Sequence, residues 1–327
     1  MRHPGWRLWL WLWLCALLVS STAWAQPYPV KPVRLMVPFP PGGANDIVAR
    51  LVAQKLSERW GKPVVIDNRA GAGGNIGTEL GAKALPDGYT LTIGSTSTYS
   101  TNVVLELKLG FDPRRDFAPI TLIVTAPNVM VVHPSVPVNT VPEFIQYAKA
   151  GTNAKHLNFS SFGDGSSAHL VGEMFKSMAG VALQHVPYKG GGPALAAVMG
   201  GEVQLTFANL SVALPQVKGG KVKAIAVTSA KRATAIPELP TVAESGLPGF
   251  EAIASVGILA PAGTARDLVM RVNQDVHAVV NEPAMKEQFI SRGLEIALST
   301  PEAFARYMRS EIERWGKVVL DAGISAK

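Results

Sequence analysis

The sequence predicts a two-lobed α/β protein with a ligand cleft between the lobes and a double hinge joining them. Three observations carry this reading. A chain of 327 residues is longer than one hydrophobic core usually fills. Short apolar runs alternate with stretches of three- and four-residue periodicity, the pattern of strand-helix-strand units and parallel sheets. Two long apolar stretches, residues 120–132 and 252–261, set a middle segment apart from its flanks, and no Pro/Gly-rich linker cuts the chain into successive domains. The expected division is an export signal over 1–25, one lobe from 26–125 with 253–327, and a second lobe over 126–252.

The elements follow in order. The opening "MRHPGWRLWLWLWLCALLVSSTAWAQ" has basic Arg2 and Arg7, an apolar run, and Ala23-Trp24-Ala25 before Gln26. That is the layout of a cleavable secretory signal, and the run is shorter than a membrane span needs. "VRLMV" reads as a buried strand. The following helix has Ile47, Val48, Leu51, Val52, Leu56 and Trp60 on one face and stops at Gly61 and Pro63. "VVI" is the next strand; "NIGTELGAKAL", a Pro86-Asp87-Gly88 turn and "YTLTIG" repeat the scheme. Thr140-Val141-Pro142-Glu143 is a capping box that opens a helix. "HLNFSSF" leads into a helix with Leu170, Met174, Phe175 and Met178 on its apolar side, closed by Gly180. "VQLTF" and "VKAIAVTS" are strands. Two more helices start near Thr264 and Ser299, the last carrying Phe304, Met308, Trp315 and Val319.

Composition excludes several classes. The only cysteine, Cys15, leaves with the signal, so the mature chain has neither an internal disulfide nor a catalytic thiol. Without Arg2 and Arg7 it has 29 Lys+Arg against 24 Asp+Glu, a net charge of +5. No clustered basic stripe suggests nucleic acid; a diffuse positive field suits small anions.

Three glycine-rich corners join strands to helices. The first, "PFPPGGAND", lets Gly42 and Gly43 bring backbone amides close to a ligand, with Asn45 or Asp46 available as helix cap. Taken alone it is equally a tight turn. The second, "DNRAGAGGNIGTE", has Gly71, Gly73, Gly74 and Gly77 but misses the dinucleotide spacing by one place, and no Walker lysine is present. The third, "SSFGDGSSAHL", puts Ser166 and Ser167 at a helix start. A serine hydrolase reading, with His169 as base, lacks the G-x-S-x-G elbow. The histidines His133, His156, His185 and His277 show no metal-ligand spacing. Neutral helix starts facing one cleft hold a carboxylate without the desolvation cost of a buried ion pair.

The stretches "YPVKPVRLMVPFPPGGANDIVAR", "VIDNRAGAGGNIGTELGAKALPDGYTL", "FDPRRDFAPIT", "FSSFGDGSSAHLVGEMF", "VPYKGGGPALAAVMGGEVQLTF" and "LPTVAESGLPGFE", in that order, resemble the Bug family. These are periplasmic solute-binding receptors associated with tripartite tricarboxylate transporters. The resemblance implies a "Venus flytrap" of two α/β lobes, each a sheet flanked by helices, that takes an organic carboxylate. It implies a membrane permease as partner, with no cofactor, no metal and no chemistry. It also implies a monomeric periplasmic protein that does not span the membrane. The implied contacts are Pro41, Gly42, Gly43, Asp46, Gly73 and Gly74 in one lobe, and Ser166, Ser167, His169, Tyr188, Lys189 and Gly190 in the other. Ser95, Thr96 and Asn209 complete the expected set. Tyr99 stands at a usual histidine and Val103 at a usual proline, while Ala197, Gln204 and Asn209 stand where relatives often have Asp. If Tyr99 or Asn209 faces the cleft, the pocket is unusually neutral, which hints at an unsubstituted or aromatic carboxylate. The alternatives are a receptor that signals to a membrane sensor and an exported serine hydrolase.

Overall fold

The computed structural model describes residues 28–105, 109–150 and 157–321. The expected export signal and His156 lie outside the described residues.

Two sheets share one strand. β1 (Val33–Val37) pairs in parallel with β2 (Val64–Asn68) and with β3 (Thr90–Ser95). The long β4 (Phe117–Val132) and β9 (Ile253–Pro261) complete this sheet as antiparallel neighbours, with the short β10 (Glu295–Ile296) on the outer edge of β4. The second sheet has β7 (Leu205–Asn209) and β8 (Lys223–Val227) antiparallel to the far half of β4, then β5 (Asn158–Ser161) and β6 (Gln184–Pro187) in parallel beyond β7. β4 changes sheets within one step, since Pro127 pairs with Ile253 and Asn128 pairs with Asn209. A buried threonine braces this point. Thr228 donates its amide to Asn128 O (2.9 Å), Asn128 donates its own amide to Thr228 Oγ1 (3.0 Å), and Ala252 donates to Thr228 O (2.8 Å). The two crossings are therefore stitched side by side.

Helices cover both sheets because their apolar stripes have no other place to go. They are α1 (Ala44–Trp60), α2 (Asn75–Ala82), α3 (Val141–Lys149), α4 (Ser167–Ala179), α5 (Gly191–Met199), α6 (Leu210–Lys218), α7 (Arg266–Val280), α8 (Pro283–Ile290) and α9 (Pro301–Asp321). Gly61 ends α1 at φ 61° and Gly180 ends α4 at φ 61°, left-handed positions that favour glycine. Thr140 caps α3 by accepting from Glu143 N. One core lies around Val48, Val52, Leu91, Ile258 and Val276 under the first sheet; a second gathers Phe144, Phe159, Phe175, Phe207 and Phe250 under the other. α9 belongs to both sides. Its Phe304 and Met308 pack with Tyr99 and Phe117, and about two to three turns on Trp315 and Val319 enter the phenylalanine core of the second sheet. No helix among the described residues is long and apolar enough to cross a membrane.

Candidate functional site between the two sheets

Corner one follows β1. Gly43 takes the extended N-cap position of α1 with no side-chain cap, and Gly42 sits at φ 84°. Asp46, three residues into α1, reaches back to accept from Gly42 N (2.9 Å) and also accepts from Arg50 Nε (2.8 Å) and Asn68 Nδ2 (3.0 Å). Burial by itself would raise its pKa; the hydrogen bonds from Arg50, Gly42 and Asn68 outweigh burial and hold it below the usual carboxylate value. Asp46 is thus an anionic brace for the loop, with its oxygens turned to protein donors.

Corner three precedes α4. Ser166 is the N-cap, its Oγ accepting from His169 N, and the chain arches through Gly163 (φ 124°) and Gly165 (φ 75°). The His169 ring has no hydrogen bond to Ser166 or Ser167 among the described residues; its Nδ1 accepts from Gly165 N at 3.2 Å. Neither Ser166 nor Ser167 therefore has His169 placed as its base.

These corners close on each other. Thr101 Oγ1 donates to Gly165 O (2.7 Å) and Ser167 N donates to Ser97 Oγ (3.0 Å), both across the gap between the sheets. A Cβ on Gly73 would lie 2.6 Å from Asp164 O, and one on Gly190 would lie 2.9 Å from the Pro40 ring. The cleft is shut.

Among the described residues, an inner and an outer space remain in it. The inner one, about 20 Å³, has room for a water molecule or two. It is lined from the first sheet by Asn45, Ser95, Thr96, Ser97 and Ser255, and from the second by Ser167 and Asn209, with Phe39 and Phe162 between. It contains no charged side chain. The first turns of α1, α4 and α6 supply Ala44 with Asn45, Ser167, and Asn209 to it, so three helix N-termini meet at one point. Ser95 Oγ is buried with no hydrogen-bond partner among the described residues, as is Asn128 Nδ2, whose Oδ1 accepts from Asn209 Nδ2 at 2.8 Å. Unpartnered buried polar atoms beside a cavity mark where a ligand's polar atoms belong. Thr96 Oγ1 and Ser255 Oγ are 2.8 Å apart, and Tyr99 OH meets the same Ser255. Burial pushes the Tyr99 phenol well above its usual pKa, so it stays neutral.

The outer space, about 210 Å³, is lined by Gly71, Gly73 and Gly74 of corner two, by Gly163 and Asp164, and by Tyr188 and Lys189 after β6. Phe39 and Phe162 line both spaces and stand between them.

The expected residues thus divide. Ser95, Thr96, Ser167 and Asn209 line the inner space; Gly73, Gly74, Tyr188 and Lys189 line the outer one. Pro41, Gly42, Gly43, Asp46, Ser166, His169 and Gly190 line neither and shape the corners behind them. Tyr99 is fully buried against Phe304 and touches the inner space only through Ser255, whereas Asn209 lines it directly. Sequence reasoning missed Phe39, Asn45, Ser97, Phe162 and Ser255. Asn45 carried a legible signal, being in the first turn after a glycine corner; Ser255, inside the apolar stretch of β9, carried none.

Two α/β lobes joined by paired crossings, closing on a neutral cavity ringed by helix starts, define a solute-binding receptor of the periplasmic kind. The particular family follows from comparison. Residues 48–324 match the tripartite tricarboxylate transporter family receptor, TctC, and the chain belongs to that family. Protein BugT of Bordetella pertussis is 34% identical over 94% of each chain. A protein of R. palustris solved with adipate is 38% identical with a TM-score of 0.89, covering 91% of this chain and 99% of that one. MatC of Rhodopseudomonas palustris, solved with bound malate, is 32% identical with a TM-score of 0.84, covering 89% and 100%.

Proposed function

We propose that the protein captures an organic dicarboxylate in the periplasm and delivers it to a tripartite tricarboxylate-type permease. Residues 1–25 serve as its export signal. The jaws are residues 26–125 with 253–327 and residues 126–252, and the change of sheets at Pro127–Asn128 supports that division. The mature protein works as a monomer, because both jaws of the site come from one chain.

The observation that carries this reading is the inner space, with three helix starts and no charged side chain. Helix N-termini attract anions through free amides and dipole, and they hold the charge without a buried lysine or arginine. Each amide-to-carboxylate hydrogen bond contributes about 1.5–3 kcal/mol, so two or three suffice for micromolar affinity. One carboxylate fits that space as the jaws part slightly. A short apolar chain then passes Phe39 and Phe162, and the second carboxylate enters the outer space near Lys189 and the amides of Gly73 and Gly74. Relatives solved with adipate and malate support a dicarboxylate, and the neutral Asn209 supports an unsubstituted one.

A thermal-shift screen of mono-, di- and tricarboxylates, amino acids and sugars tests this. At 100 times the dissociation constant a true ligand adds about 2.7 kcal/mol. A response to sugars or cations with none to any carboxylate would overturn the proposal.

A further inference from the structure

We propose that Asp164, His185 and His169 bind a divalent transition-metal ion, zinc by preference, at the base of the arch between β5 and α4. Each of the three offers a ligand atom within 4.8 Å of the others. Their surroundings assign the donors. The His185 ring lies between Phe159, at 5.0 Å, and His169, on which it stacks at 3.8 Å and 8°. His185 Nε2 is 2.6 Å from Ser161 Oγ, and Ser161 Oγ donates its one proton to Gly163 O (3.1 Å) while accepting from Gly163 N (3.2 Å). With its proton turned to Gly163 O, Ser161 Oγ can accept a ring hydrogen on His185 Nε2, and in that tautomer Nδ1 keeps its lone pair. That Nδ1 faces Asp164 Oδ1 at 3.6 Å. A metal ion selects that tautomer by accepting the electron pairs of both Nδ1 and the carboxylate oxygen.

The spacing fits such an acceptor. Zinc at about 2.1 Å from each atom would subtend about 118°, close to tetrahedral. Ser161 fixes the His185 tautomer from behind, as outer partners of metal-bound histidines do. Parallel rings cannot both aim a lone pair at one ion, so His169 must turn out of the stack and give up the bond its Nδ1 accepts from Gly165 N to become the third ligand. Glu173, the nearest further carboxylate, is held by Lys176 at 2.7 and 2.9 Å. The Asp164 side chain is 73% exposed, which leaves a route for the ion and an open fourth position. Two imidazoles and one carboxylate select zinc, nickel or copper over magnesium or calcium.

Calorimetric titration of the untagged, exported protein with zinc chloride, and separately with magnesium chloride, tests the site. One equivalent of zinc should bind, with no magnesium heat. Asp164→Asn, a change at an exposed side chain that leaves the fold intact, should weaken zinc binding about tenfold or more, as should His185→Gln. His133→Gln should leave it unchanged. Histidine proton shifts should report His169 leaving the stack as zinc is added. No saturable zinc binding, or equal affinity in wild type and Asp164→Asn, would overturn the site.

Discussion

Gly73→Ala separates the cost of closing the cleft from the cost of folding. Gly73 has φ 62°, and a Cβ there would stand 2.6 Å from Asp164 O on the opposite jaw. A carbon-to-oxygen contact needs about 3.3 Å or more, so the arch at Asp164 must withdraw by roughly 0.7 Å. Overpacking of this kind costs about 1–3 kcal/mol. The open protein does not bear that cost, because the jaws are apart. A non-glycine residue in left-handed backbone costs a further 1–2 kcal/mol or so, but open and closed forms bear it equally and it cancels from binding. The expected result is a dissociation constant for adipate about 5- to 150-fold weaker, with a modest loss of melting temperature. Gly61→Ala is the control: it has φ 61° at the end of α1 with nothing within 4 Å of its Cβ. It should lose similar stability and bind normally. Calorimetry and thermal unfolding on both variants read the two quantities. If Gly73→Ala binds adipate as wild type does, the closed contact between Gly73 and Asp164 is not part of the bound state, and the two-jaw reasoning fails.

Two further outcomes follow from the same geometry. Asn209→Asp puts a negative charge at the meeting point of the helix starts; at about 5 Å and an effective dielectric of 20 its repulsion of a bound carboxylate is about 3 kcal/mol, so titration should show binding roughly 100-fold weaker. Asp46→Ala removes the acceptor for Gly42 N and Asn68 Nδ2 and should cost about 2–3 kcal/mol in denaturant unfolding. Because the folded pKa of Asp46 is lowered, its contribution is present above the unfolded value of about 4 and is lost as pH falls through the folded one. Asp46→Asn should therefore flatten the acid limb of the stability curve relative to wild type; an unchanged limb would rule out Asp46 as an ionised brace.

Much of the scaffold was legible locally. The stop at Gly61 and the Thr140 cap are short-range signals that the structure reproduces, although Glu143 reaches back to Asn139 N and not to Thr140 N; on α4 Leu170, Met174 and Phe175 are buried as expected, whereas Met178 is exposed. The expectation that Asn45 or Asp46 caps α1 differs in detail. Gly43 occupies the cap, and Asp46 reaches back to Gly42 N instead, because its other oxygen is drawn to Asn68 on β2. That partner is 22 residues away in sequence, and no local pattern announces it. Similarly, the sequence leaves open whether Tyr99 faces the cleft. The turn Ser97–Thr101 is π-helical and wholly buried, and it carries the ring inward onto Phe304.

What the sequence determined by itself is the inventory: strands, helices, glycine corners, a single cysteine at position 15, and a mild positive charge. These depend on neighbouring residues, whose periodicity and backbone freedom are written side by side. Only the tertiary structure decided which helix starts converge. Thr96 and Ser255 meet across 159 residues of chain, and Ser97 and Ser167 meet across 70. Both meetings depend on where β4 passes from one sheet to the other and where the chain returns to enter β9, and that is set by packing of the whole core. The neutral character of the inner cavity belongs to the same level. Charged residues are common along the corners, but Asp46 is turned away from it by Gly42, Arg50 and Asn68, a partner on another strand, and Asp164 lines the outer space instead.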